Sequence, residues 1–227
     1  MATRMAIRKL FGTVACLALT GVSLAFFIEE YGAYRLSRES DRGQYERLAT
    51  GEVSLAPSMR ARIAVLRACD EGQRGLFGQV QSTPSRRVVA EECLALAERV
   101  IEQAPTFSLA HYVVARSRLR LGQTEAFNRA LALSRRTGPA EGWIAQRRFQ
   151  LAASGNGQLD GIGHATLAAD AALLLRSPSG VDLVAHGFAS TEAIRETILV
   201  EAETLPERDQ RRFLSRLSDG RTAWGGG

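Results

Sequence analysis

The chain has few of the residues from which most metal sites are built. Its 227 residues include three histidines and three cysteines. His111, His164 and His186 are far apart, and no two of them have the four-residue spacing that places a pair of imidazoles on one helix face. The sequence therefore predicts no metal site and no bound cofactor.

The signatures of nucleophilic and phosphate chemistry are also missing. The sequence contains no G-x-S-x-G turn that would expose a nucleophilic serine. The glycine-rich run GNGQLDGIG at 155–163 lacks the lysine of a phosphate-binding loop and follows a helical pattern rather than a strand. Glu91 and Glu92 are adjacent, which indicates a solvated helix surface rather than an acid/base pair. We therefore expect a protein that is not an enzyme.

Lysine is almost absent, and the positive charge is unevenly placed. Lys9 is the single lysine among 29 basic residues, and the formal net charge is +5. Arg4, Arg8 and Lys9 supply three of these charges before an apolar run begins, so the rest of the chain is close to neutral. Because nucleic-acid-binding domains need a basic patch or stripe, we expect no nucleic-acid partner.

An apolar run is the most prominent feature that the sequence does have. The segment from Leu10 to Ile28 contains 19 residues without a charge. At ~1.5 Å per residue, a helix of this length spans about the ~30 Å hydrocarbon core of a bilayer. Aromatic residues gather at its C-terminal edge, where amphipathic rings favour the membrane interface. The sequence predicts a cytoplasmic tail over 1–9 and a transmembrane helix over 10–36.

The charges on either side of the run favour one orientation. Three basic residues crowd its N-terminal edge, which predicts a cytoplasmic N-terminus and a body on the opposite side of the membrane. Arg35, Arg38 and Arg42 act against this bias, because they lie close to the other edge. Ser23-Leu24-Ala25 also matches a signal-peptide cleavage site, so removal of the segment is an alternative. The run is longer than a usual signal core and continues to Ile28, which favours its retention.

Small residues recur along the apolar run. Gly12, Cys16 and Thr20 are four residues apart and would form one stripe along a helix. Such a stripe predicts close packing against another membrane helix, although triplets of this kind also occur by chance.

The remainder of the chain has the patterns of an all-helical domain. Residues 37–57 are polar with turn formers, which predicts a linker, and no later stretch has sustained two-residue alternation. Helical patterns follow at 58–72, 83–104, 108–121, 124–136, 140–153, 164–177, 190–205 and 206–220. The segment 179–188 is either a short helix or a buried turn. We expect a helical domain over 58–154, further helices over 155–220 that pack on it, and a flexible tail over 221–227.

The short turns between these helices predict stacked antiparallel hairpins. A single hairpin cannot bury its apolar face, so neighbouring pairs must stack to form a core. Ala115 would let a partner helix approach, and Gly122 would make the tight turn that follows. Around these residues the chain resembles a tetratricopeptide repeat, over Val88 to Arg136. Gly122 matches the turn glycine of that family and Ala115 its small position.

Other positions match the family only in part. Pro105 falls where the preceding repeat would end, and Ala97 and Val100 fall on the second helix of that repeat. His111 stands at the aromatic position and Cys93 at a usual alanine, and an alanine comes one residue early at Ala126. The resemblance places a ligand against the first helix of the pair. On this chain that face is formed by Leu109, Tyr112, Arg116, Leu119 and Arg120.

This face has the chemistry to receive an acidic or extended peptide. Tyr112 would supply an aromatic platform, and Arg116 and Arg120 would supply charge-assisted hydrogen bonds. Alternatively, the arginines form a solvated surface or are covered by other helices of the domain.

The stretch SRRTGPAEGWIAQRRFQLA at 134–152 is similar to membrane-anchored repeat-like proteins of alphaproteobacterial envelope and exopolysaccharide systems. That resemblance implies a bacterial inner-membrane protein with a periplasmic domain, which acts as a scaffold for membrane-protein partners of an envelope complex. One alternative is an accessory or regulatory subunit of a membrane enzyme for polysaccharide polymerisation or export. Another is a periplasmic enzyme with a site assembled from distant helices.

The cysteines carry a prediction of their own. Cys69 and Cys93 lie on consecutive predicted helices, and a periplasmic domain is in an oxidising compartment. We therefore expect a disulfide between them. The alternative is that both are small buried residues, since cysteine is among the most buried residue types.

Overall fold

The prediction of an all-helical protein is confirmed by the computed structural model, which describes residues 2–155 and 157–224. Every regular element in these two ranges is a helix. The helices are α1 (Ala2–Arg38), α2 (Asp41–Ala49), α3 (Met59–Arg74), α4 (Leu76–Gln79), α5 (Thr83–Gln103), α6 (Ser108–Arg120), α7 (Thr124–Thr137), α8 (Gly142–Ser154), α9 (Gly161–Leu175), α10 (Pro178–Ser190), α11 (Arg195–Glu203) and α12 (Glu207–Trp224). A 3₁₀ turn, Glu192–Ile194, leads into α11.

The chain divides into two compact units, Met1–Gln81 and Ser82–Gly227. The division therefore falls inside the region 58–154 that we expected to form one domain. Helix α1 is continuous from Ala2, so it includes most of the predicted tail and extends two residues beyond the predicted end of the membrane helix.

The first unit contains α1 to α4, with α3 packed against each of the other three. The expected linker over 37–57 contains α2 and the last two residues of α1, so that prediction was wrong for eleven of its residues. Ser40 caps this helix, its Oγ accepting a hydrogen bond from the Gly43 amide at 3.3 Å. Tyr45 and Leu48 are buried, and the ring of Tyr45 meets Phe77 edge-on at 5.5 Å between centroids. The two apolar side chains stabilise a helix in a segment whose average composition is polar.

Local sequence signals fix several ends of helices. Ser58 caps α3 as predicted, its Oγ accepting from the Ala61 amide at 3.1 Å. Helix α5 is capped by Ser82 rather than opened by Thr83, and Pro84 lies in its first turn, where the missing N–H costs nothing. Gly122 has a φ of 72° between α6 and α7, which is the left-handed conformation expected of the turn glycine.

The second unit contains α5 to α12. Helix α6 packs between α5 and α7, and α9 packs against α7, α8, α10 and α11. The ambiguous segment 179–188 is helical, because Ser177 caps α10 by accepting from the Gly180 amide at 2.9 Å. Helix α12 runs to Trp224, so the tail predicted over 221–227 is helical as far as that residue, and 225–227 lie outside the described residues.

Candidate functional site

The described side chains of α1 expose apolar surface around its whole circumference. From Val14 to Ile28 the large apolar residues are between 49% and 68% exposed. A surface helix of a water-soluble protein has a polar face toward solvent and buries its apolar stripe. The part of α1 at Cys16–Arg38 is long and apolar enough to cross a membrane, a property that signal sequences share.

Aromatic rings form a row along one side of α1 where the apolar run ends. Phe27 and Tyr31 are stacked with ring centroids 6.0 Å apart, and Tyr31 and Tyr34 follow at 6.3 Å. All three rings are largely exposed, whereas Ala33 and Leu36 are buried. Amphipathic rings at the end of an apolar helix are typical of the boundary between hydrocarbon and headgroups.

Glu30 joins α1 to the start of α3. Its Oε1 accepts a hydrogen bond from the Ser58 amide at 2.8 Å, and its Oε2 accepts from the Ser58 hydroxyl at 2.6 Å. Glu30 lies two residues after the last apolar residue of the run, Ile28. The folded part of the first unit therefore begins within about one helical turn of the apolar surface.

The small-residue stripe lies on α1 but only part of it is described. Cys16 and Thr20 are exposed, and the Thr20 hydroxyl donates to the Cys16 carbonyl at 2.8 Å within the helix. Helices in lipid commonly satisfy a threonine hydroxyl in this way. The surroundings of Gly12 lie outside the described residues, so helix association through the stripe stays a prediction.

The predicted peptide-binding face lies on α6 as expected, but most of it is not accessible. Leu109, Tyr112 and Arg116 are buried, Leu119 is half-buried and Arg120 is exposed. Arg116 donates to the Tyr112 hydroxyl through Nε at 3.0 Å and through Nη2 at 2.5 Å. The pair is thus engaged inside the protein, and only the end of α6 at Leu119 and Arg120 offers surface to a partner.

Periodicity could not reveal this burial. Every residue of α6 from Ser108 to Ser117 is buried, so the helix has no solvent-facing stripe over this length. His111, which departs from the repeat pattern, donates a hydrogen bond through Nε2 to the Pro105 carbonyl at 2.8 Å. An imidazole held in this way anchors the start of α6.

The second unit contains a buried ion pair that was not predicted from the sequence. Arg148 on α8 and Asp170 on α9 form a bidentate pair, Nε to Oδ2 and Nη2 to Oδ1, both at 2.7 Å. The side chains are 0% and 1% exposed. Arg148 also donates through Nη1 to the Ser134 carbonyl at 3.2 Å, and Arg135 approaches Asp170 Oδ1 at 3.3 Å.

This pair ties α7, α8 and α9 together. Burial raises the pKa of Asp170 above its ordinary value of 3.8, while the hydrogen bond and positive charge of Arg148 and the charge of Arg135 oppose the rise. A signal for the pair was present in the sequence. Arg148 follows Ile144 by four residues and Asp170 follows Leu167 by three, so each charge lies on the apolar stripe of its helix.

The remaining candidates from the sequence are the cysteines and the potential metal ligands. Cys69 on α3 and Cys93 on α5 are both fully buried, and the bridge between them stays a prediction. Within the described ranges, no three histidine, cysteine, aspartate or glutamate residues come together as they would to hold a metal ion.

Comparison of the chain with family models, with curated proteins and with solved structures found no match.

Proposed function

We propose that this chain is a membrane-anchored scaffold subunit of a bacterial cell-envelope complex, which binds membrane-protein partners through its helical body and catalyses no reaction. The observation that carries the proposal is the exposed apolar circumference of α1 from Val14 to Ile28. An apolar surface this extensive needs a cover, and lipid covers a helix from all sides at once.

Two features support retention of α1 as an anchor rather than its removal as a signal. The helix continues without a break to Arg38, and the same helix buries Ala33 and Leu36 in the first unit. Cleavage after Ala25 would leave exposed aromatic residues at a new N-terminus. The charge distribution in the sequence supports a cytoplasmic N-terminus in the inner membrane and a periplasmic body.

The second unit supports the binding role. Helices α5, α6 and α7 follow one another through short turns and pack in sequence, as tetratricopeptide hairpins do. Repeat-like stacking therefore remains our interpretation of this segment. Because the middle of α6 is buried, partner binding through this helix would use Arg120 and Leu119 at its C-terminal end.

The experiment is affinity purification of the tagged full chain from native membranes in mild detergent, with mass-spectrometric identification of the proteins that accompany it. Arg120→Glu reverses an exposed charge on α6, and Arg99→Glu makes the matched change at an exposed arginine on α5. We expect the same membrane proteins to accompany the wild-type and Arg99→Glu chains, and smaller amounts of them to accompany Arg120→Glu.

Both variants must keep the wild-type melting temperature for this comparison to test binding. A chain that purifies alone under all conditions contradicts the scaffold proposal. If deletion of the chain changes the length or yield of a polysaccharide while the complex stays assembled, the accessory-subunit alternative is favoured instead.

A further inference from the structure

The start of α3 lies at the same level as the end of the apolar run of α1. The two hydrogen bonds from Ser58 to Glu30 fix this level, since Glu30 is two residues, or about 3 Å, beyond Ile28 along the helix. Residues near Ser58 are therefore close to the plane in which lipid headgroups would meet the protein if α1 spans the membrane.

Helix α3 extends away from that plane. The described residues of α1 before Glu30 are exposed, whereas Ala33 and Leu36 beyond it are buried, and α3 is the helix that packs most extensively on α1. Because α3 begins beside Glu30, it must run alongside the later part of α1. Side chains in a helix lean toward its N-terminus, so those of the first turn of α3 lean toward the membrane plane.

The residues at this end of α3 have the chemistry of a membrane interface. Met59 is 42% exposed, and its neighbours Pro57 and Arg60 are also exposed. The loop before them is held in place, because Val53 and Ala56 are buried. A flexible apolar side chain next to an arginine suits the boundary where hydrocarbon gives way to phosphate.

We propose that Pro57, Met59 and Arg60 form a second membrane contact of the first unit, in which Met59 enters the lipid interface and Arg60 binds a lipid phosphate. This inference rests on the proposed anchoring by α1 and adds to it a defined orientation of the first unit relative to the bilayer. With α1 alone the body could tilt about one helix, whereas a second contact restricts the tilt and holds the first unit at a fixed angle to the bilayer.

Fluorescence quenching by brominated lipids tests this orientation in the full chain. An environment-sensitive dye is attached in detergent to Met59→Cys or to Leu76→Cys, each in a Cys16→Ala background, before reconstitution into nanodiscs of phosphatidylcholine and phosphatidylglycerol. The two remaining cysteines are fully buried and should not react. Leu76 is the matched control, because it is 81% exposed and follows the 16 residues of α3, about 24 Å from its start.

We expect lipids brominated near the glycerol to quench the dye at position 59 and to leave the dye at position 76 unchanged. Arg60→Glu should weaken the quenching at position 59, and Arg42→Glu, a charge reversal on α2, should not. Equal quenching at positions 59 and 76, whether strong or absent, overturns the proposal.

The native Cys16 is labelled in the otherwise unchanged chain and probed with lipids brominated near the middle of their acyl chains, because it lies 12 residues, or about 18 Å, before Ile28. This measurement separates the present inference from the proposed function. Quenching at Cys16 without quenching at position 59 shows that the anchor stands and the second contact is wrong. Absence of quenching at Cys16 contradicts the anchor itself, and the second contact fails with it.

Discussion

Removal of the Arg148 guanidinium should destabilise the second unit more than any surface change in the same unit. The substitution Arg148→Met keeps an unbranched side chain of similar length but removes both 2.7 Å bonds to Asp170 and the donor to the Ser134 carbonyl. Asp170 is then left buried with only Arg135, at 3.3 Å, to oppose its charge. Breaking one side of a buried pair costs about 3–5 kcal/mol, which corresponds to a fall in Tm of roughly 6–20 °C for a chain of this size.

The loss should depend on pH in a defined direction. Burial already raises the pKa of Asp170, and the variant lacks the two influences of Arg148 that lower it. A carboxyl whose folded-state pKa lies above its unfolded value stabilises the fold below the unfolded pKa of 3.8, and this contribution is lost as pH rises through the folded pKa. The difference in unfolding free energy between wild type and Arg148→Met should therefore be smallest near the unfolded-state pKa of 3.8 and larger at neutral pH.

Urea unfolding of the full chain in mild detergent measures this difference. Trp143 lies on α8 with Arg148 and reports on the second unit by fluorescence, in a background with Trp224→Phe. Arg129→Met is the control, because Arg129 pairs with Glu125 on the exposed surface of α7, where such pairs contribute about 0.5 kcal/mol or less.

Two results would refute the reasoning. One is a loss of stability in Arg148→Met no larger than that in Arg129→Met. The other is a difference from wild type that does not change with pH, because an uncompensated buried carboxylate must take up a proton as the pH falls.

Three further predictions concern the ion pair, a closely packed glycine and the cysteines. The double variant Arg148→Met with Asp170→Leu should regain much of the stability lost by the single variant, since an apolar pair needs no desolvation of charge; no recovery in urea unfolding would count against it. Gly180→Ala should lower the Tm while Gly142→Ala does not, because an added methyl group meets a backbone oxygen at 2.4 Å in the first case and nothing within 4 Å in the second. Denatured, non-reduced protein treated with a thiol reagent should gain one label if Cys69 and Cys93 are bridged, and three labels would reject the bridge.

Features that depend on a few neighbouring residues could be predicted from the sequence. Ser58 caps α3 because its hydroxyl lies next to the unpaired amides at the start of the helix. Gly122 makes the turn because glycine adopts a φ of 72° without the strain that a residue with a side chain would have. These causes are local, so the sequence contains them in full. The ends of most predicted helices accordingly lie within a few residues of those in the structure.

Features that depend on distant contacts could not be predicted in the same way. The linker prediction failed at α2 because burial of Tyr45 and Leu48 outweighs a polar average composition. The face chosen on α6 followed the resemblance to a repeat, and helical periodicity does not reveal whether another part of the chain covers a face. Arg148 and Asp170 are 22 residues apart, and only their places on two apolar stripes indicated that they would be buried together.

The central claim is that α1 remains on the protein and holds the body to a lipid bilayer. Alkaline carbonate extraction of native membranes, followed by intact mass measurement, tests that claim most directly. We predict that the chain stays in the membrane pellet with a mass that includes the segment up to Ala25. A soluble chain with the mass expected for a sequence that begins after Ala25 would show that the segment is a cleaved signal, and would contradict the account.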